Sequence, residues 1–172
     1  LKIFQEFGSK HTLIINKDIP DVIEDKNTIE ENAKKKAKEC YEVFKSPIIS
    51  DDSGLFVDAL EGQPGVHSKR YAGFSSTDVE NNQKLINELK TADNLSAFFK
   101  TVLCYFDGLN FITSKGVLEG KIVFEPRGKN GFGYDPIFEV SGKTLAEMTL
   151  DEKSNISHRK LAAVKLVGKL NE

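Results

Sequence analysis

The chain has 172 residues, 39% of them hydrophobic and 29% charged, with a formal net charge of −2. That balance suits a single soluble globular domain with a real core. It offers a polyanion little, and no apolar run approaches the ~20 residues that span a bilayer, so nucleic-acid and membrane partners are set aside.

In chain order, Ile3, Phe4 and Phe7 suggest the end of a helix closed by Gly8, and residues 12–16 are strand-like. Thr28 followed by Glu31 forms a capping box. Behind it Ala33, Ala37, Cys40, Tyr41 and Phe44 recur at helical spacing, which predicts an amphipathic helix over about 29–45. Lys34, Lys35, Lys36 and Lys38 read as its solvated face. Pro47 stops the helix, and an apolar run leads into Asp51-Asp52-Ser53-Gly54. Residues 61–76, rich in glycine and serine, read as a structured loop. Leu85, Ile86 and Leu89 mark a helix starting near Thr77 or Asp78. Residues 97–106 are β-rich, and Asp107-Gly108 signals a hairpin into residues 111–113. Residues 117–124 continue the strand series, with Gly120 as a bulge. Residues 128–135 are glycine-rich, and a final helix runs from near Ser157 to Leu170. The alternation predicts one mixed α/β domain over residues 1–172, with a meander-like β section in its second half. Cys40 and Cys104 lack metal-ligand spacing and read as reduced core thiols, which fits a cytoplasmic setting.

Three constellations have chemical potential. Asp51-Asp52-Ser53-Gly54 reads as a buried strand carrying two carboxylates to its end, with glycine allowing the turn. Adjacent buried acids need a cation, and Mg²⁺ is typically held by one or two carboxylates plus phosphate oxygens; the alternative is a polar turn. Gly131-Phe132-Gly133-Tyr134-Asp135-Pro136 lets backbone approach a ligand, with two rings for stacking and an acceptor in Asp135. Its alternative is a tight turn with two core aromatics. In Lys153-Ser154-Asn155-Ile156-Ser157-His158-Arg159-Lys160, cations in a first helical turn oppose the helix dipole by roughly 0.3–1 kcal/mol. They make more sense if they reach an anion or ligand oxygens; the alternative is a solvated basic surface, which composition alone supports at least as well. Glu31 is either a cap alone or a second metal carboxylate. Lys69 and Arg70 offer phosphate contacts or plain surface charge, and His11 and His67 have no partners by spacing.

The order of these segments resembles the inosine triphosphate pyrophosphatase family. The residues that carry the likeness are Glu31-Asn32-Ala33, Ser50-Asp51-Asp52-Ser53-Gly54-Leu55, and Val57-Asp58-Ala59-Leu60. The likeness continues through Gly62-Gln63-Pro64-Gly65-Val66-His67-Ser68-Lys69-Arg70-Tyr71-Ala72-Gly73 and Gly131-Phe132-Gly133-Tyr134-Asp135-Pro136-Ile137-Phe138. Lys143-Thr144-Leu145-Ala146-Glu147-Met148 and Glu152-Lys153-Ser154-Asn155-Ile156-Ser157-His158-Arg159 complete it. The resemblance implies a two-lobed α/β fold, with a long mixed twisted sheet flanked by helices and a substrate cleft between lobes. It implies Mg²⁺-dependent hydrolysis of ITP, dITP and XTP to the monophosphate and pyrophosphate, in a cytoplasmic homodimer.

On that resemblance Asp52 is the main catalytic carboxylate, Glu31 joins it at the metal, and Asp51 supports them. Phe132, Gly133, Tyr134 and Asp135 enclose the purine. Lys153, His158 and Arg159 offer donors to its keto oxygens. Ser53 and Lys69 or Arg70 contact phosphate or sugar. The departure is at the start, where family members carry a strand and a Ser/Thr-x-x-Asn-x-x-Lys loop that grips the triphosphate. This chain begins Leu1-Lys2-Ile3-Phe4, like the helix after that loop. These 172 residues alone are therefore expected to show weak turnover or none, the alternative being a nucleotide-binding module without turnover.

Overall fold

The computed structural model describes residues 13, 14 and 18–172. The helix end expected at residues 3–8 lies outside them, as does the expected strand at 12–16 apart from 13 and 14. Helix α1 (Ile29–Phe44) starts where Thr28 Oγ1 accepts the Glu31 amide at 3.1 Å. Its face of Ile29, Asn32, Ala33, Ala37 and Cys40 is buried, and Lys45 ends it in a left-handed conformation. Strand β1 (Ile48–Val57) follows, then 3₁₀ turns at Asp58–Leu60 and Gly65–Arg70. Helix α2 (Asp78–Glu88) opens with a reciprocal Thr77–Glu80 capping box.

Strands β2 (Ser96–Phe106) and β3 (Phe111–Ile122) are joined by a hairpin. There Asp107 Oδ1 accepts the amides of Leu109 and Asn110, at 2.8 and 2.7 Å. β4 (Phe138–Val140), β5 (Lys143–Thr144), α3 (Leu150–Ile156) and α4 (His158–Asn171) complete the chain. The five strands lie in the order β1-β2-β3-β4-β5, so the expected α/β class holds and the sheet is a meander. β4 runs antiparallel to β3 in the register Lys121↔Glu139, Ile122↔Phe138, and β5 runs antiparallel to β4.

One strand expectation is corrected. The runs at 111–113 and 117–124 merge into one strand that ends at Ile122. Gly120 lies inside it, where a Cβ would stand 2.5 Å from the Glu139 carbonyl oxygen and 2.7 Å from the Phe138 ring. That close approach accounts for glycine at this position.

The chain divides into two compact units. The first comprises the described residues up to Ser53 together with 101–117 and 158–172, and its buried apolar residues include Ala33, Ala37, Cys40, Cys104, Ala162, Leu166 and Val167. Both cysteines are free and buried. In this unit α4 covers β3: Ser114 Oγ donates to the Ala162 carbonyl, and Lys165 and Lys169 donate to the carbonyls of Lys115 and Thr113. The second unit comprises residues 54–100 and 118–157, around a core of Leu55, Val57, Leu85, Leu89, Ile122, Ile137, Phe138 and Leu145. Removing the Phe138 ring from such a core costs roughly 3–5 kcal/mol. No helix among the described residues is long and apolar enough to cross a membrane.

Candidate active site

In the first unit the chemistry gathers at Asp52. The acids do not sit at a strand end: β1 runs unbroken through Asp51-Asp52-Ser53-Gly54. Gly54 is needed because a Cβ there would collide with the Gly65 carbonyl, not because the chain turns. Consecutive residues of a strand point to opposite faces. Asp52 is 8% exposed, whereas the Asp51 side chain is 42% exposed and meets Arg159 Nη1 at 3.2 Å. The expected pairing of both acids at one point is thereby corrected, since the pleat sends them apart.

Asp52 faces α1, as Ser50 does two residues earlier by donating to the Ala33 carbonyl at 2.6 Å. From α1, Lys36 Nζ reaches Asp52 Oδ1 at 3.3 Å and Glu24 Oε1 at 2.8 Å. Asn32 stands one turn before Lys36 on the same face and is buried. Its Oδ1 accepts the Lys26 amide at 3.0 Å. Lys35 holds the same incoming segment through the Ile23 carbonyl and Asp25, at 2.8 and 2.9 Å. Asn32, Lys35 and Lys36 thus fasten residues 23–26 along the helix, and this delivers the Glu24 carboxylate.

Burial raises the Asp52 carboxyl above the usual carboxylate range. Lys36 opposes that shift and Glu24 adds to it. Burial pulls Lys36 down, but its hydrogen bond to Glu24 and the charges of Asp52 and Glu24 outweigh this and raise it. The result is a buried acid with enhanced proton affinity beside a firmly cationic ammonium, an arrangement suited to general-base work.

One further reading changes here. Lys36, expected on a solvated face, is one-fifth exposed and central to the cluster. Glu31, expected at the metal, is exposed and bound to its cap, with Thr28 Oγ1 donating to Glu31 Oε2 at 2.9 Å. The carboxylate whose charge acts on Asp52 is Glu24. Among the described residues no group of three His, Cys, Asp or Glu side chains is placed to hold a metal alone. Asp52 and Glu24 nevertheless fit Mg²⁺, which takes one or two carboxylates and completes its shell from phosphates and water. Ser53 Oγ shares a 2.6 Å hydrogen bond with Thr101 Oγ1, within the same unit. His158 opens α4, with its backbone so close to Gly116 that a Cβ there would collide with it.

The second unit holds the glycine-rich segment. Asp135, 4% exposed, accepts the Phe132 amide at 2.8 Å and pairs with Lys153 Nζ. Lys153 Nζ also stands 5.0 Å from the centre of the Phe132 ring. The two aromatics part company. Tyr134 is 5% exposed, belongs to the core and donates its hydroxyl to the Ser68 carbonyl at 2.8 Å. Phe132 is 71% exposed, so of the two rings it is the one offered for stacking. Gly133 is positioned from α2: its amide donates to Asp78 Oδ2 at 2.6 Å, and its carbonyl accepts Asn82 Nδ2 at 3.1 Å. Lys69 and Arg70 end the Gly65–Arg70 turn, which Asn81 ties to α2 through the Lys69 carbonyl at 3.2 Å.

Sequence reasoning missed Lys36, Glu24, Asp78 and Asn82. The i, i+4 spacing of Asn32 with Lys36 was an available signal, hidden in a run of lysines. Glu24 lies in an irregular segment with no periodicity to mark it.

The Ham1 family model matches residues 2–169. The chain is similar to a dITP/XTP pyrophosphatase of Caldanaerobacter subterraneus subsp. tengcongensis, 50% identical over 151 residues, covering 85% of this chain and 76% of the relative. A dITP/XTP pyrophosphatase of Streptococcus pneumoniae is 44% identical over 156 residues, covering 87% and 78%. Among solved structures, a HAM1 protein from Coxiella burnetii matches with a TM-score of 0.84 at 43% identity, over 89% of this chain and 81% of that one. A nucleoside-triphosphatase / dITP/XTP pyrophosphatase from Mycobacterium abscessus matches with a TM-score of 0.81 at 34% identity, over 98% and 91%.

Proposed function

This chain belongs to the Ham1 family, and from that premise we propose that it is a nucleoside-triphosphate pyrophosphatase that hydrolyses non-canonical purine nucleotides of the dITP and XTP class. The observation that carries the reading is the buried Asp52 carboxylate, with raised proton affinity, beside the Lys36 ammonium at 3.3 Å. Asp52 orients a water and takes its proton as the water oxygen attacks the α-phosphorus. The bond from that phosphorus to the bridging oxygen breaks, leaving a monophosphate and pyrophosphate. Lys36 keeps Asp52 placed and offers positive charge where phosphate oxygens gather negative charge. Asp52 and Glu24 would hold Mg²⁺, which supplies neutralisation of phosphate charge when bound.

In the second unit Phe132 offers a face to the purine, and the Asp135–Lys153 pair presents polar groups beside that ring. In the first, His158 and Arg159 provide donors suited to a 6-keto oxygen. Adenine presents an amino donor at that position, and a site built on hydrogen bonds rejects such a mismatch by ~10⁴-fold or more. A homodimeric state and a cytoplasmic location belong to the same reading and rest on the family likeness alone.

The test is product analysis with Mg²⁺ and either dITP or dATP. Deoxyinosine monophosphate plus pyrophosphate, with dATP nearly untouched, is the expected result. Diphosphate plus orthophosphate would overturn attack at the α-phosphorus. Tight dITP binding without turnover would replace the enzyme with a binding module.

A further inference from the structure

The segment that presents Phe132 is held at its backbone while its side chain is left open. Gly131 and Gly133 both have positive φ, +80° and +61°, a conformation that L side chains rarely adopt. A short segment of that kind does not hold one shape by itself. Here the amide of Phe132 is taken by Asp135, while the amide and carbonyl of Gly133 are taken by Asp78 and Asn82. Asp78 and Asn82 are four residues apart on α2, so they project from one face of the helix, one turn apart.

Asn82 is 8% exposed, and among the described residues its buried Oδ1 has no hydrogen-bond partner. A buried acceptor left unpartnered destabilises a fold. Its neighbour Asn81 shows the contrast, with Oδ1 accepting from Ala72 and Ser76 and Nδ2 donating to Lys69. Asn82 therefore keeps its amide on Gly133 at the cost of its own oxygen.

We infer that Asp78 and Asn82 are positioning residues for base binding: a two-point clamp on Gly133 that fixes the ring of Phe132 as a platform for a purine. The inference rests on the reading of Phe132 given under the proposed function. The clamp acts on the ring's orientation and not on the attacking water, so it governs substrate affinity more than the chemical step.

The experiment is a double-mutant cycle on kinetics with dITP, with melting temperature followed in parallel. Asp78→Ala and Asn82→Ala are each made in the wild-type and in a Phe132→Ala background. Each single variant is expected to raise KM about five-fold while kcat stays within about two-fold, and to have little further effect once Phe132 is alanine. Asp78→Asn, which keeps an acceptor but not the charge, is expected to retain the wild-type KM. Asp78 is exposed, so its variants test the clamp without threatening the core. Equal KM effects with and without Phe132 would overturn the inference, because the residues would then not act through the ring. So would an Asp78→Asn variant as impaired as Asp78→Ala, which would point to the helix dipole. If Phe132→Ala raises KM and the clamp variants do not, the clamp alone fails. If Phe132→Ala leaves KM unchanged, the stacking reading itself fails and takes the clamp with it.

Discussion

Asp52 is costly to the fold in the form its chemistry uses. Burial raises its folded pKa above the unfolded value of ~3.9, so the folded protein holds that proton to a higher pH than the unfolded chain. Stability therefore falls as pH rises from the unfolded pKa through the folded one, and above both the penalty is constant. Asp52→Asn removes a titrating group from that position. It should cost on the order of 10²–10⁴ in kcat and raise the melting temperature near pH 7.5 by roughly 2–4 °C. Melting curves from pH 4 to 8 check the sign, because the gain should vanish at the acid end. Lys36 is the reverse case, stabilised by the partners it neutralises. Lys36→Met leaves Asp52 and Glu24 facing each other without a cation, so both stability and turnover should fall, by about 1–3 kcal/mol in stability. Chemical denaturation with a parallel rate measurement decides it; an unchanged rate would remove Lys36 from the mechanism. Asp51, one peptide bond away, points to the opposite face, and its partly exposed pair with Arg159 contributes about 0–1 kcal/mol.

The elements show what was legible in the sequence and why the rest was not. α1 and α2 are legible because an apolar repeat marks each; at α1 only half of the expected box forms, since Thr28 Oγ1 caps the Glu31 amide while Glu31 takes the Thr28 hydroxyl, and at α2 the Thr77–Glu80 box fixes a start that the apolar spacing only approximates. α3 carries the same signal in Thr149 and Glu152, but it has seven residues and buries none of them, so periodicity had nothing to report. β1 looked as if it ended at Asp51 because four polar or small residues resemble a turn. What lets it continue is nonlocal: Lys36, sixteen residues earlier, supplies the charge that a buried Asp52 needs. Tyr134 and Phe132 were alike by composition, and only packing separates a core ring from an exposed one. The contact between β3 and α4 depends on Gly116, where an added Cβ would strike the His158 backbone. Gly116→Ala should push the first turn of α4 away, raise KM for dITP several-fold and lower stability by about 1–3 kcal/mol. Retained discrimination between dITP and dATP in that variant would detach His158 and Arg159 from base selection.

The first unit is assembled from three separate stretches of chain, and nothing in local periodicity announces which stretches meet. Resemblance over ordered motifs supplied the architecture that spacing could not. The sheet also leaves something to manage. β4 accompanies β3 only at Lys121 and Ile122, so the carbonyls of Thr113 and Lys115 would otherwise have had to find partners elsewhere. Lys165 and Lys169 satisfy them from α4. An unpaired strand edge is a template for aggregation, and a lysine is among the commonest ways to blunt one. Replacing both lysines by methionine should leave the fold cooperative yet promote thioflavin-positive assembly on prolonged incubation, which light scattering would follow. An unchanged monodisperse solution would show that the helix backbone alone shields the strand. Acetylation of these two side chains would remove the same two charges, so a modification remote from the nucleotide chemistry would decide how long the protein stays dispersed.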